Sequence, residues 1–231
     1  MKPLIVANWK ANKTNKETVD WAKKVGEEIG QTSVAIVICP PFTCLETLAQ
    51  LADEYPFKVG AQNVSRLEAG AFTGEVSASM LKEVVTHCLV GHSERRRYFG
   101  ETDQTVMEKV DRLLAVDITP ILCISDQKQL DSFLLAKGSI AKAPEKIVFV
   151  YEPPGAISGG GAYRPEEPEE AEIQCKSLVE KIGKSVVVLY GGSVNPKNIA
   201  TFIEQPTIQG VLVGQASLSV ESFVSLLGAA R

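Results

Sequence analysis

Eight short, β-branched apolar runs recur along the chain, at 4–8, 34–39, 58–63, 88–92, 119–124, 147–152, 186–190 and 210–214. Each is apolar enough to be buried on both faces, as parallel strands are. Segments of helical period follow: Val19, Ala22, Val25, Ile29; Leu45, Leu48, Ala49, Ala52; Val106, Val110, Leu113; Ala171, Cys175, Leu178, Ile182; Val220, Phe223, Val224, Leu227. Single strands alternating with amphipathic helices demand a parallel sheet with helices outside. Eight such units in 231 residues predict one α/β domain over 1–231, a closed parallel (β/α)8 barrel, with an open doubly wound sheet as the other arrangement. No Pro/Ser linker or charge block divides the chain. The Pro/Gly-rich stretch 153–168 is predicted to be a long loop, of the kind that serves as a lid.

Charge and cysteine usage exclude several classes of function. The net charge is −4, from 24 basic and 28 acidic residues spread along the chain, so there is no footprint for a nucleic-acid backbone. The five cysteines are odd in number, lack any CxxC spacing and mostly sit in apolar runs. They predict reduced core residues in a cytoplasmic protein. The start, MKPLIVANWK, is too short in apolar residues for a signal peptide, and no 18-residue apolar run occurs, so no membrane partner is expected.

In such a barrel, chemistry sits at the C-terminal ends of the strands. The predicted strands deliver Asn8-Trp9-Lys10, Cys39-Pro40-Pro41, Gln62-Asn63, Gly91-His92-Ser93-Glu94, Cys123-Ile124-Ser125, Tyr151-Glu152-Pro153, Tyr190-Gly191-Gly192-Ser193 and Val213-Gly214-Gln215. Lys10, His92, Glu94 and Glu152 are the groups able to do acid, base or charge work. The chain has two histidines and no trio of His, Cys, Asp or Glu at metal-ligand spacing, so no metal is expected. The absence of GxSxG argues against a serine hydrolase. One carboxylate, one imidazole and one ammonium suit proton transfer beside a carbonyl on an anionic substrate. Gly191-Gly192-Ser193 and Gly214 would expose backbone N–H groups near helix starts, where oxyanions bind; tight turns with no ligand are the other reading.

These motifs, together with Ala71-Phe72-Thr73-Gly74-Glu75 and Leu212-Val213-Gly214, resemble the triosephosphate isomerase family in order and near-family spacing from residue 5 to residue 218. The resemblance implies a TIM barrel that interconverts dihydroxyacetone phosphate and D-glyceraldehyde 3-phosphate through an enediolate, without a cofactor. It also implies the roles, in a division of labour that belongs to the family. Glu152 would be the base, and His92 the neutral imidazole that polarises the carbonyl, its charged form disfavoured by the helix starting near Ser93. Lys10 would offset substrate charge, Asn8 would hydrogen-bond the reacting oxygens, and Glu94 would hold Lys10. Ser193, Ser158 and the amides of Gly192, Gly214 and Gln215 would grip the phosphate. Loop 64–77, with Phe72 and Thr73, resembles an interlocking dimer loop, implying a homodimer; the short region 126–146 leaves a tetramer open. Arg95 and Arg96 are expected to be ion-pair partners, Cys123 a core residue, and His87 a helix-end or surface residue.

The chain departs from the family pattern in the loop after Glu152, where 155, 159 and 161 are glycine and Ser158 replaces one. The net gain of two glycines adds about 1–2 kcal/mol to the entropy lost on closure, roughly tenfold in rate if it falls wholly on the closed state. Gln215 stands where the family usually has a second glycine, and Ser125-Asp126 where it has Gly-Glu. Two alternatives follow: a phosphosugar-binding barrel impaired in catalysis by its lid, and a barrel isomerase of phosphoribosyl amines. The second would want an Asp or Cys acid/base pair across strands 1 and 5 or 6, where strand 1 offers Asn8 and Lys10.

Overall fold

The computed structural model describes residues 2–30, 32–153, 155 and 165–230. Eight strands run β1 Leu4–Asn8, β2 Ala35–Cys39, β3 Lys58–Ala61, β4 His87–Val90, β5 Thr119–Ile124, β6 Val148–Tyr151, β7 Val187–Tyr190 and β8 Gly210–Val213. They pair in sequence order, all parallel, and β8 closes back on β1 with Leu4 opposite Gly210 and Ala7 opposite Val213. The sheet is therefore a closed barrel, and the open alternative is excluded.

The main helices α1 Asn15–Ile29, α2 Leu45–Leu51, α3 Ala78–Leu81, α4 Ser93–Phe99 and α5 Asp103–Leu114 lie in the first half of the chain. The second half carries α6 Gln127–Leu135, α7 Ser139–Lys142, α8 Pro168–Ile182, α9 Ile199–Ile203 and α10 Val220–Ala229. Side-chain alternation explains why both strand faces are apolar. Val6, Val37, Leu89, Ile121, Val150 and Leu189 belong to a cluster built from strand residues alone, the barrel interior. Their neighbours Ile5, Ala7, Ile36, Ile38 and Val90 pack outward against helix residues such as Trp21, Val25, Val110 and Leu113.

Loop chemistry fixes where the elements start. Thr14 and Glu17 form a reciprocal capping box ahead of α1, and Thr102 and Ser219 cap α5 and α10. At the base of β8, a Cβ on Gly210 would lie 2.0 Å from the Leu4 carbonyl oxygen, so the barrel can close only over a glycine. The predicted strand 4 runs one residue too late at its start and two too far at its end. Gly91 takes φ 71, which breaks the strand and leaves His92 to open α4. His87, expected at a helix end or on the surface, is instead the first residue of β4, partly buried.

Candidate active site

The β1–α1 loop presents its cation through an unusual backbone. Lys10 adopts φ 53, a left-handed conformation that costs a non-glycine residue on the order of 1 kcal/mol. Hydrogen bonds on both sides hold it: its N–H donates to Asn8 Oδ1 (3.0 Å), and its carbonyl accepts from Gln62 Nε2 (2.9 Å). Gln62 also donates to the Cys39 carbonyl at 2.9 Å, spanning β1, β2 and β3. The Lys10 ammonium pairs with Glu94 Oε1 from α4.

His92 is the N-cap of α4, and its Nδ1 accepts the Glu94 N–H at 3.2 Å. A ring nitrogen that accepts carries a lone pair, so the geometry is that of a neutral imidazole with its proton on Nε2. That Nε2 lies 3.2 Å from Glu152 Oε1. Glu152 directly follows β6 and extends its ladder by one bond, N–H to the Ile124 carbonyl at 2.8 Å. Its other oxygen accepts the Ser93 N–H (3.1 Å), at the start of α4. The Glu152 residue is only 1% exposed, so a carboxylate, an imidazole and a helix N-terminus share a site with little water. Gly191 gives it room, because a Cβ there would lie 2.9 Å from Glu152 Cγ. Below it sits Cys123, whose thiol is pushed far up by burial, with the Glu152 charge and hydrogen bond adding to the effect.

Two hollows flank Lys10. One of about 230 Å³ is bounded by Asn8, Lys10, Gln62, His92, Glu94 and Phe99. The other, of about 340 Å³, lies between the β1 and β8 loops, bounded by Lys10, Asn12, Gly214, Gln215 and Leu218 among others. A Cβ on Gly214 would come within 3.4 Å of Lys10 Cε, so the glycine keeps the β8 loop close to the ammonium. Gly192 and Ser193 follow the neighbouring β7, and a Cβ on Gly192 would overlap the Tyr190 hydroxyl at 2.1 Å. Ser158 lies outside the described residues, as does most of the loop expected at 153–168.

A buried ionic cluster supports α4 from behind. Glu101 Oε1 takes both Arg95 Nε and Lys109 Nζ, and Lys109 also donates to Asn63 Oδ1 at 2.6 Å. Arg96 donates to the Gly91 carbonyl (3.0 Å) and to Asp103 (2.7 Å), pinning the turn into α4. Gln62 and Asn63 stand at a predicted strand end with no assigned role, and nothing in the sequence singles out Glu101 or Lys109. Gln62, Asn63 and Lys109 act through contacts between distant positions, and Glu101 through partners six and eight positions away, none of which a local motif signals.

Among the described residues, no group of three His, Cys, Asp or Glu could hold a metal ion, and no helix is long and apolar enough to cross a membrane. Comparison with known families matches residues 3–230 to the family described as triosephosphate isomerase. Proteins named triosephosphate isomerase are similar over almost the whole chain. That of Alkaliphilus oremlandii is 37% identical over 98% of both chains. The one from Solibacter usitatus is 40% identical, again over 98% of both, and that of Aquifex aeolicus 38% over 98% of this chain and 99% of its own. On the closed barrel, the shared motifs and these matches, the chain belongs to the triosephosphate isomerase family.

Proposed function

We propose that the protein interconverts dihydroxyacetone phosphate and D-glyceraldehyde 3-phosphate, with Glu152 as the base. The observation that carries this reading is the buried carboxylate of Glu152, 3.2 Å from the Nε2 of His92, which lines a hollow with Lys10. In the free protein the two side chains satisfy each other. In the substrate complex the carbonyl oxygen replaces Glu152 as acceptor of the His92 Nε2–H. Glu152 then gives up its bond to Ser93 and turns toward the carbon. It removes the carbon-bound proton and returns it to the neighbouring carbon, while His92 Nε2 gives its proton to the former carbonyl oxygen and recovers one from the adjacent hydroxyl.

Enediolate charge develops on the oxygens near His92, Asn8 and Lys10, whose donors are already oriented and cost little reorganisation. Glu94 holds the Lys10 ammonium, and Gln62 and Asn8 hold its backbone. The phosphate lies across Gly192, Ser193, Gly214 and Gln215, with Ser158 contributed by the loop. The alternative of a barrel that binds phosphosugars without turning them over has no support in the comparisons.

The same reading covers assembly and compartment. Phe72, Met80, Tyr98 and Phe99 are exposed, and Phe99 borders the hollow beside Lys10 and Glu94. These features support at least a homodimer, with loop 64–77 of one copy, led by Phe72 and Thr73, entering that hollow in the other. A monomeric mass at micromolar concentration refutes it. All five cysteines are free and buried, which supports the cytoplasm as the compartment.

A coupled assay of glyceraldehyde 3-phosphate conversion, with inorganic phosphate release followed alongside, tests the reading. Brisk wild-type turnover is expected. Glu152→Asp pulls the carboxylate back by about 1 Å and should lower kcat on the order of 100-fold. Wild-type turnover no faster than buffer overturns it.

A further inference from the structure

The β1–α1 loop carries a second cation that this chemistry leaves unused. Lys13, like Lys10, is held in a left-handed conformation, with φ 74. Its ammonium lies 5.2 Å from the Trp9 ring centroid and 5.9 Å from that of Trp21, a cation–π setting. It donates to the carbonyl of Leu218 at 2.7 Å, across 205 positions of sequence. Burial depresses the ammonium against the opposing pull of Glu17, so a costly charge is kept there.

Leu218 closes the single 3₁₀ turn Gln215–Ser217, its N–H donating to the Gln215 carbonyl at 3.1 Å, and Gly214 precedes that turn. The Lys13–Leu218 bond therefore ties the loop bearing Lys10 to the loop bearing the Gly214 and Gln215 amides. The hollow of about 340 Å³ lies between the two loops. On its own side Lys13 is fixed, since its carbonyl accepts from Cys44 Sγ (3.6 Å) and the adjacent Asn12 donates to the Trp9 carbonyl (2.7 Å).

We propose that Lys13 is a positioning residue: by clamping the Leu218 carbonyl it sets the separation of Lys10 from the Gly214 and Gln215 amides, and so the affinity for the phosphate end of the substrate. The substrate rests on the isomerase reading above; the clamp itself is measured with inorganic phosphate.

The experiment compares the wild type with Lys13→Met, Lys13→Leu and Lys13→Arg. Met keeps the stem over the rings but removes the donor, and Arg restores charge and donor. KM, kcat, Tm and the affinity for inorganic phosphate are measured, the last also directly by fluorescence of the two tryptophans. Lys13→Met and Lys13→Leu are expected to weaken phosphate binding and raise KM together by about fivefold to tenfold, with kcat within about twofold. Lys13→Arg should recover most of the loss. The weakening should persist at about 0.5 M salt, where a long-range charge effect is screened away.

A lower Tm with unchanged KM and phosphate affinity overturns the proposal, as does a weakening that vanishes at high salt. Should Lys13→Met fail to fold, a folded Lys13→Leu with wild-type values overturns it equally. A wild type that binds phosphate without turnover sinks the isomerase reading alone, and the phosphate affinities of the variants still decide the clamp.

Discussion

Replacing Lys109 by Met would test whether the ionic cluster behind α4 holds the site in place. Lys109 is 4% exposed and its ammonium meets Glu101 Oε1, while Arg95 meets the same oxygen. Met fills the stem volume but leaves Glu101 with one cation and Asn63 Oδ1 without its 2.6 Å donor. Breaking a buried pair costs about 3–5 kcal/mol, and the retained Arg95 puts this case at the lower end, about 3 kcal/mol. With an unfolding entropy of roughly 2.1 cal/mol/K per residue, that is a fall in Tm of about 6 °C for a chain of this length.

The pH dependence has a definite sign. Burial pushes the Glu101 carboxyl up, but hydrogen bonds and charge from Lys109 and Arg95 outweigh it and leave it below the usual value. Its contribution is therefore full above the ordinary carboxylate pKa and is lost as pH falls through the lower folded value. Without Lys109 the carboxyl protonates at higher pH, which relieves the unpaired charge. Thermal melts followed by circular dichroism should show a gap of about 6 °C at pH 7 that narrows near pH 4. A gap under about 2 °C at pH 7, or one that does not narrow, refutes the reasoning.

Other positions extend the account. Gly210→Ala drives a Cβ to 2.0 Å from the Leu4 carbonyl oxygen, backbone that cannot swing aside, so barrel closure should suffer by at least about 3 kcal/mol in a denaturant titration. Glu94→Gln takes the carboxylate from Lys10 and should lower kcat/KM about tenfold while leaving Tm within about 2 °C, because both side chains are only partly buried. Burial, with Lys58 nearby, brings His87 down to about 4. The unfolded chain then binds the extra proton first, so stability is lost as pH drops from the ordinary histidine value toward 4. An NMR titration that puts His87 near its ordinary value contradicts this.

The barrel was legible because parallel strands buried on both faces leave dense β-branched runs. All eight predicted runs begin within one residue of the observed strand or on it, β4 being the one that starts before its run. Helices of four or five residues, α3, α7 and α9, span little more than one turn and cannot repeat the helical period that would reveal them. α6, Gln127–Leu135, carries its apolar stripe in a single turn, with Leu130 and Phe133 buried and Leu134 packed against the core. In the site, Lys10, His92, Glu94 and Glu152 could be picked out because strand ends deliver them to one mouth. Gln62, Lys13 and Lys109 could not, since each hydrogen-bonds partners 23 or more positions away, save for the nearer Glu101. His87 was misread because its strand begins one residue before the apolar run does.

The most direct test of the central claim is turnover in deuterated water by the wild type and by Glu152→Gln, which keeps the shape of the side chain but not its basicity. Wild-type product is expected to carry solvent deuterium on the carbon beside the carbonyl. Glu152→Gln is expected to lose on the order of 1,000-fold in kcat while binding inorganic phosphate as before. A variant that keeps more than about a tenth of the wild-type rate would contradict the assignment of Glu152 as the base.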